Sequence, residues 1–459
     1  MVGRNRWALI EAGAILLAGL VLGAMANSGQ PFGFGCQPAA ADDWPQWMGP
    51  GRDNVWRESG ILETFPEGGP KAVWKTEIAG GYSGPAVAAG RVFITDYVTG
   101  DNVKVDNFDR KEFSGVERVL CLDEATGKVL WTHTDNVKYS ISYPAGPRCT
   151  PVIENDRVYT LGAEGLLYCF QAADGKVLWR RDLKADYKTT APLWGYSAHP
   201  LIDGPRLLTL AGGTGSHIVA LNKLTGEEIW RSLTSGSTGQ GYSPPTIVEH
   251  GGRRQLILYR TDAVSSIDPE TGREYWSVPY EASNGSIIMS PVLMGDYLYA
   301  AGYSNRNLLL KLKTDQSQPE EVFRDVKDLI SPVNVQPFLD QSVLYGFDQK
   351  GYLRAVQLPE GKQLWETDKA IGGRPRGSET AFLVRHEDRF VLFNELGELV
   401  IARITPEKFE ELSRAKVIEP SNFAFGREVV WSMPAFANKR IYLRNDREII
   451  CLDMAASAK

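Results

Sequence analysis

A glycine set four residues ahead of a tryptophan recurs five times, and this spacing limits what the chain can fold into. The copies are Gly127 to Trp131, Gly175 to Trp179, Gly226 to Trp230, Gly272 to Trp276 and Gly361 to Trp365. Glycine supplies the positive φ that a tight hairpin turn needs. The residues after it read as a strand ending on a large aromatic. One such hairpin cannot bury its own apolar face, so the copies must stack on one another as an array.

One full copy displays the unit. Residues 151–154 read as strand A, 157–161 as strand B, 166–170 as strand C and 177–180 as strand D, with Asn155-Asp156, Glu164-Gly165 and Ala173-Asp174-Gly175 between them. Short strands at near-minimal spacing mean an antiparallel up-and-down sheet. Strand A starts next to a proline at Pro85, Pro151, Pro200, Pro245, Pro291, Pro337 and Pro434, with Ala381 in the corresponding place of a further unit. Proline has no N–H, so it suits a strand start or an unpaired edge facing a channel. These positions give eight units. Phe323 replaces Trp in the fifth, and the seventh has no aromatic there. The last unit, Pro434 to Asp453, offers only strands A to C, while Trp74 sits in an orphan strand that nothing precedes. Pairing the two closes the ring and removes its open ends. The fold class is therefore all-β: an eight-bladed β-propeller of four-stranded antiparallel blades, its last blade closed by the N-terminal strand.

Arg4 and Arg6 precede an apolar run from Ala12 to Met25, which reads as an export signal cleaved after Ala26 or Ala41, with a retained N-terminal anchor as the alternative. The expected division is residues 1–41 as signal or anchor, 42–71 as an N-terminal extension and 72–459 as the propeller. The extension is rich in Trp (Trp44, Trp47, Trp56) and is expected to wrap the outside. Residues 97–117 read as a charged insertion between strands B and C of the first unit. Thr405-Pro406-Glu407 reads as the N-cap of a short surface helix over 405–415. The formal charge is −6 with no basic run, so nucleic acid is not an expected partner. Cys121, Cys169 and Cys451 share one place in the repeat and read as buried apolar residues, Cys149 is solitary, and no zinc pattern exists.

Three copies extend to Asp/Asn-x-x-Thr-Gly-x-x-x-Trp: Asp123 to Trp131, Asn222 to Trp230 and Asp268 to Trp276. With these the sequence, over about 72–453, resembles the pyrroloquinoline-quinone (PQQ) repeat family of bacterial β-propellers. The resemblance implies that the pattern clamps adjacent blades, so Trp74, Trp131, Trp179, Trp230, Trp276 and Trp365 are expected to be structural. That family contains quinoprotein dehydrogenases and a non-enzymatic lipoprotein of outer-membrane β-barrel assembly, and shared blades do not choose between them.

In such a blade the B–C turns and the D-to-A crossovers lie on one face, and here the crossovers are long and individual. They carry the candidate ligand residues of a channel mouth: Arg148, Trp194, Tyr196, His199, Tyr242, Asn284, Asn334, Arg374, Arg376, Glu379 and Trp431, with Tyr143, Gln240, Gln336 and Arg427 nearby. The alternative for each is a strand cap. Arg374 and Arg376 need an anion, a carboxylate or water, and Glu379 is an available internal partner. His199 is the lone candidate base, without an assignable acid. No catalytic residue and no metal ligand is assigned.

The dehydrogenases of the resembled family are implied to hold the quinone on a Trp floor beneath a disulfide of adjacent cysteines, with calcium bound by Glu and Asn and an Asp as base. No Cys-Cys pair occurs here. Trp194 or Trp431 could serve as floor and Asn284 or Glu379 as ligands, but the set does not match residue by residue. The sequence reading is thus an exported, non-catalytic binding or scaffold module of the periplasm or cell envelope. It is expected to be a monomer without a membrane span and without a cofactor, with an envelope protein, peptide or polysaccharide as partner. The alternative is a PQQ- and calcium-dependent oxidoreductase with an atypical site.

Overall fold

The computed structural model describes residues 43–456 except 106, 316 and 374. The export-signal reading lies outside these residues. Among them the chain forms eight four-stranded antiparallel sheets and one two-stranded hairpin. In seven blades strand A begins on the residue directly after the proline of the series, as at Ala86, Val152, Leu201, Thr246, Val292, Phe338 and Ala435; in the remaining blade it begins on Ala381 itself. The eighth blade is shared, with order Ala72–Glu77, Glu448–Asp453, Arg440–Arg444, Ala435–Ala437. Trp74 pairs with Cys451 and Thr76 with Ile449, which closes the ring as the sequence requires.

Four of the seams share one contact, while Trp230 packs on Gly272 with its Nε1 buried and unpartnered. Trp74 Nε1 donates to Glu124 O (2.8 Å), Trp131 to Ala172 O (3.0 Å), Trp179 to Lys223 O (3.0 Å) and Trp365 to Thr405 O (2.9 Å). Each acceptor belongs to the C–D turn of the next blade. The turn glycine lies under the same indole. A Cβ on Gly127 would sit 2.5 Å from Trp74, and one on Gly175 2.6 Å from Trp131, at φ of 71° and 74°. Glycine is thus demanded twice, by the turn and by the neighbouring ring. In all eight blades the register between strands C and D slips beside this position. The bulge turns the outer strand so that its aromatic faces the next blade. The seventh blade has Ser413 in that place, paired with Ile401.

Three local expectations are corrected. No helix forms over 405–415. Thr405 Oγ1 does accept from the backbone N–H of Glu407 and Lys408, but Phe409–Lys416 is the fourth strand of blade 7. A strand C with an open edge, from Glu398 to Ile404, outweighs a one-turn N-cap signal. The 97–117 insertion is about half sheet, because strands B, C and D of blade 1 lengthen to Arg91–Thr99, Lys111–Asp123 and Val129–Ile141. Between strands B and C the loop that carries Phe108 remains.

The Trp-rich part of the N-terminal extension does not wrap the outside. Residues 43–56 cross the channel on the inner edges of the blades, and the chain then reaches the outer strand of blade 7, where Phe65 N donates to Ser413 Oγ (2.9 Å). Trp44 exchanges two backbone hydrogen bonds with Val87 (2.8 and 2.9 Å), Pro45 O accepts from Ile153 N, and Arg385 donates to Asn54 O and accepts from Trp56 N. Trp44 and Trp56 are each 2% exposed and both tilt against Phe436. The first strand of a propeller blade leaves its inner backbone groups unpaired, and buried backbone groups need partners. This segment supplies them for blades 1, 2 and 7.

Candidate binding funnel

The segment divides the channel into two cavities. The one on the crossover face is an aromatic funnel. Its wall carries ten Trp, Tyr and Phe residues: Trp47, Tyr82, Phe108, Tyr143, Trp194, Tyr242, Tyr303, Phe382, Phe425 and Trp431. They come from five of the eight crossovers, from the turns that hold Phe108 and Tyr303, from an inner strand at Phe382 and from the crossing segment at Trp47. Rings meet in tilted and edge contacts, with centroids 4.9 Å apart for Trp194 and Tyr242, 5.7 Å for Tyr143 and Trp431, and 6.1 Å for Phe108 and Phe425. Such contacts hold aromatic walls firmly.

Phe108 and Phe425 cap the rim. Phe108 ends the long blade 1 hairpin, and Phe425 ends an extra hairpin, Asn422–Ala424 with Arg427–Val429. Both hold left-handed backbone, φ 80° and 49°. Bulky residues avoid that region at a cost of about 1–2 kcal/mol. Turn chemistry alone would place Gly or Asn there. Phe108 is nonetheless 46% exposed. The Phe425 hairpin is tied down by Arg427 Nε to Glu395 Oε1 (2.6 Å), with Trp431 Nε1 on Glu395 Oε2 (3.2 Å).

Trp47 is the floor. It stacks on His199 at 4.5 Å and 7°, and the Arg52 guanidinium lies over it at 5.7 Å. His199 Nδ1 accepts from Thr150 N (3.1 Å). Burial, and then the nearby Arg52 cation, holds its pKa well below the ordinary 6.5. The imidazole is therefore neutral, with no carboxylate behind it among the described residues. Because the unfolded chain binds that proton near pH 6.5 and the native chain does not, its contribution to stability is complete above pH 6.5 and is lost as pH falls below it. Denaturant titrations between pH 7.5 and 5 are expected to show stability falling with a slope approaching one proton from this group. His199→Gln, which keeps an acceptor for Thr150, is expected to flatten that part of the slope. An unchanged slope would place the titration elsewhere.

Only some of the remaining polar groups of the funnel are committed. Arg148 donates to the carbonyls of Ser142, Tyr143 and Gly146 and covers the Tyr82 ring at 5.0 Å. Burial pushes the Tyr242 phenol up to about 12 and those of Tyr82 and Tyr143 higher, so all three stay protonated. Trp194 Nε1 and Asn334 Oδ1 are buried without a partner. No Asp or Glu lines the wall among the described residues.

Of the residues singled out in the sequence, the structure brings Arg148, Trp194, His199, Tyr242, Asn284, Asn334 and Trp431 together, with Tyr143. Tyr196 is elsewhere: it is buried between blades, donating to Ala211 O (2.9 Å). Arg376 and Glu379 form an internal pair, Nε to Oε1 2.9 Å, away from the funnel. Arg374 lies outside the described residues. Gln336 bonds to the backbone of Ser290. Trp47, Phe108 and Phe425 were missed. The signal for the last two was an aromatic set among turn residues, Asn107-Phe108-Asp109 and Ala424-Phe425-Gly426.

The donor set does not fit a calcium–quinone site. Asn284 lines the funnel but Glu379 does not. Cys149 is a lone buried thiol on Tyr196 O, pushed up by burial. No cluster of three or more His, Cys, Asp or Glu side chains suited to a metal occurs among the described residues.

Shared-seam blades closed by their first strand, with a funnel built from crossovers, define a PQQ-repeat type of propeller. Similar solved structures include BamB from Moraxella catarrhalis (TM-score 0.51, 15% identity, 84% of this chain and 99% of that one) and quinohemoprotein alcohol dehydrogenase from Comamonas testosteroni (0.58, 13%, 92% and 82%). At these identities they show the fold alone. The chain belongs to the PQQ_2 family, described as outer membrane protein assembly factor BamB, whose model matches residues 115–367, more than half of its length. Among sequence relatives, BamB of Shewanella oneidensis is 20% identical over 49% of this chain and 67% of its own length, and BamB of Burkholderia pseudomallei 26% over 47% and 54%. Quinohemoprotein alcohol dehydrogenase ADH-IIG of Pseudomonas putida is 20% identical over 37% of this chain and 24% of its own length.

Proposed function

We propose that the protein is an exported, non-catalytic binding module of the cell envelope whose funnel receives an apolar segment of a partner protein. The observation that carries this reading is the aromatic, carboxylate-free wall with two rim phenylalanines held in strained backbone. Aromatic anchors dominate binding energy when they are desolvated in a well-packed pocket. The family adds that propellers of this type include ones named as assembly factors. No helix of the described residues is long and apolar enough to cross a membrane.

The test compares wild type with the double variant Phe108→Ala/Phe425→Ala as bait in envelope extracts. Partner recovery is expected to fall about tenfold or more, with little change in melting temperature because both rings sit on loop tips. Equal recovery would remove the funnel from the reading, and capture of polysaccharide in place of protein would change the partner class. A second reading, a quinone-dependent oxidoreductase, rests on fold similarity to the quinohemoprotein dehydrogenases. Titration with PQQ and calcium is the discriminating measurement: no spectral or thermal response is expected, and a bound-quinone absorbance would overturn the non-catalytic reading.

A further inference from the structure

The second cavity, on the opposite side of the crossing segment, carries a charge that nothing balances. Arg52 Nη1 donates to Pro200 O (3.0 Å), while Nη2 is buried without a partner. Among the described residues no carboxylate pairs with it. The other charges around this cavity cancel: Asp53 pairs with Arg57, and Asp203 and Glu270 pair with Arg206 and Arg254. Burial pulls the Arg52 pKa down to about 10, as expected for a cation lacking an anion. Asn54 Oδ1 and Ser290 Oγ line the same space and are also buried without partners. The backbone at Arg52 and Asn54 is left-handed, φ 50° and 57°, so the guanidinium is placed at the expense of local strain.

The cavity wall offers a second kind of partner. In blade 1, Val87 faces Val92 and sends both its N–H and its C=O to Trp44. Ile153 and Arg385 hold the corresponding place in blades 2 and 7 and are likewise bonded to the crossing segment. Ile202, Leu293 and Leu339 are the same position in blades 3, 5 and 6, by their pairing with Leu207, Leu298 and Leu344. All three line the second cavity. By register their N–H and C=O groups point into it, and no backbone partner meets them among the described residues.

We propose that this cavity captures the C-terminal end of an extended peptide, with the terminal carboxylate on Arg52 and the chain led outward along the open inner edge of blade 5 or 6. A single uncompensated cation matches a monoanionic carboxylate. The free backbone groups match an extended chain. The site lies on the other side of Trp47 from the funnel and stands independently of the reading proposed for it.

The test uses the full chain and a pool of N-acetylated pentapeptides randomised at every position, prepared once with free carboxylates and once as amides. Retained peptides are identified by mass spectrometry, and their affinities measured by calorimetry. Free-acid peptides are expected to bind, the matching amides at least tenfold more weakly, and Arg52→Gln to weaken the free acids at least tenfold. Phe108→Ala/Phe425→Ala is expected to leave this binding unchanged. Retention of no peptide at millimolar concentration, equal binding of amides, or full binding by Arg52→Gln would overturn the proposal. Displacement by acetate as effective as by peptide would also overturn it, in favour of a small carboxylate. The amide comparison on wild type holds even if the Arg52 variant fails to fold.

Discussion

Trp74→Ala is expected to lower the unfolding free energy by about 3–5 kcal/mol, the usual range for removing a large buried aromatic. Its indole closes the seam between the eighth blade and the first, and it is only 8% exposed. Three losses combine. The ring leaves a void over Gly127, whose backbone was shaped to its face. The Tyr442 ring, 5.9 Å away, loses its neighbour. Glu124 O loses a 2.8 Å donor, although Arg440 Nη1 still reaches it at 3.3 Å, so the polar share is partial. Gly127→Ala attacks the same seam from the other side, through a Cβ 2.5 Å from the ring at φ 71°. Urea unfolding followed by circular dichroism measures both. A loss below about 1 kcal/mol for Trp74→Ala would mean that strand pairing alone, and not the indole, holds the ring shut.

Trp44→Ala and Trp56→Ala are each expected to cost about 3–5 kcal/mol by the same reasoning, although both lie before the first propeller strand. Each ring is 2% exposed, and the two tilt on Phe436 at 5.3 and 5.2 Å. Because they share that partner, the double variant is expected to lose less than the sum of the two. Trp56 also donates to Glu58 Oε1 (3.0 Å), and Glu58 Oε2 accepts from Lys439 N, so its loss slackens an A–B turn of the eighth blade as well. Strict additivity would show that the two rings are not coupled through Phe436, and a negligible cost would show that the segment merely lies on the channel rather than forming part of its core.

The propeller was legible because its information is periodic. A glycine that fits beneath an indole, a proline at an unpaired strand start and an aromatic at a bulge recur at fixed places, and each recurrence constrains the next. The missing strand could even be located, since the unit around Trp74 lacked what the unit around Cys451 could offer. The candidate binding surfaces were legible only as a face. Arg148, Trp194, Tyr242 and Trp431 converge, whereas Tyr196 and Arg376 do not. Crossover side chains follow no period, and whether one points to the axis or into a seam depends on loops that differ from blade to blade. Trp44 and Trp47 were misplaced for a related reason. Set among Pro45, Gln46 and Gly49, they carry no strand pattern, and their destination is fixed by unpaired inner edges contributed by residues such as Val87 and Arg385. The strand at Phe409–Lys416 was misread because a ladder partner outweighs a local cap signal.

Sharing one blade between Ala72–Glu77 and Ala435–Asp453 has a kinetic consequence. Contacts so distant along the chain bear a large loop-closure entropy and form late. Until strand Glu448–Asp453 is available, the first blade has no neighbour on one side, and the Gly127 turn meant for Trp74 stands open to other chains. A polypeptide built this way traverses its most aggregation-prone interval just before the circle is complete. Holding it in dilute or chaperoned form over that interval is then a condition of its yield.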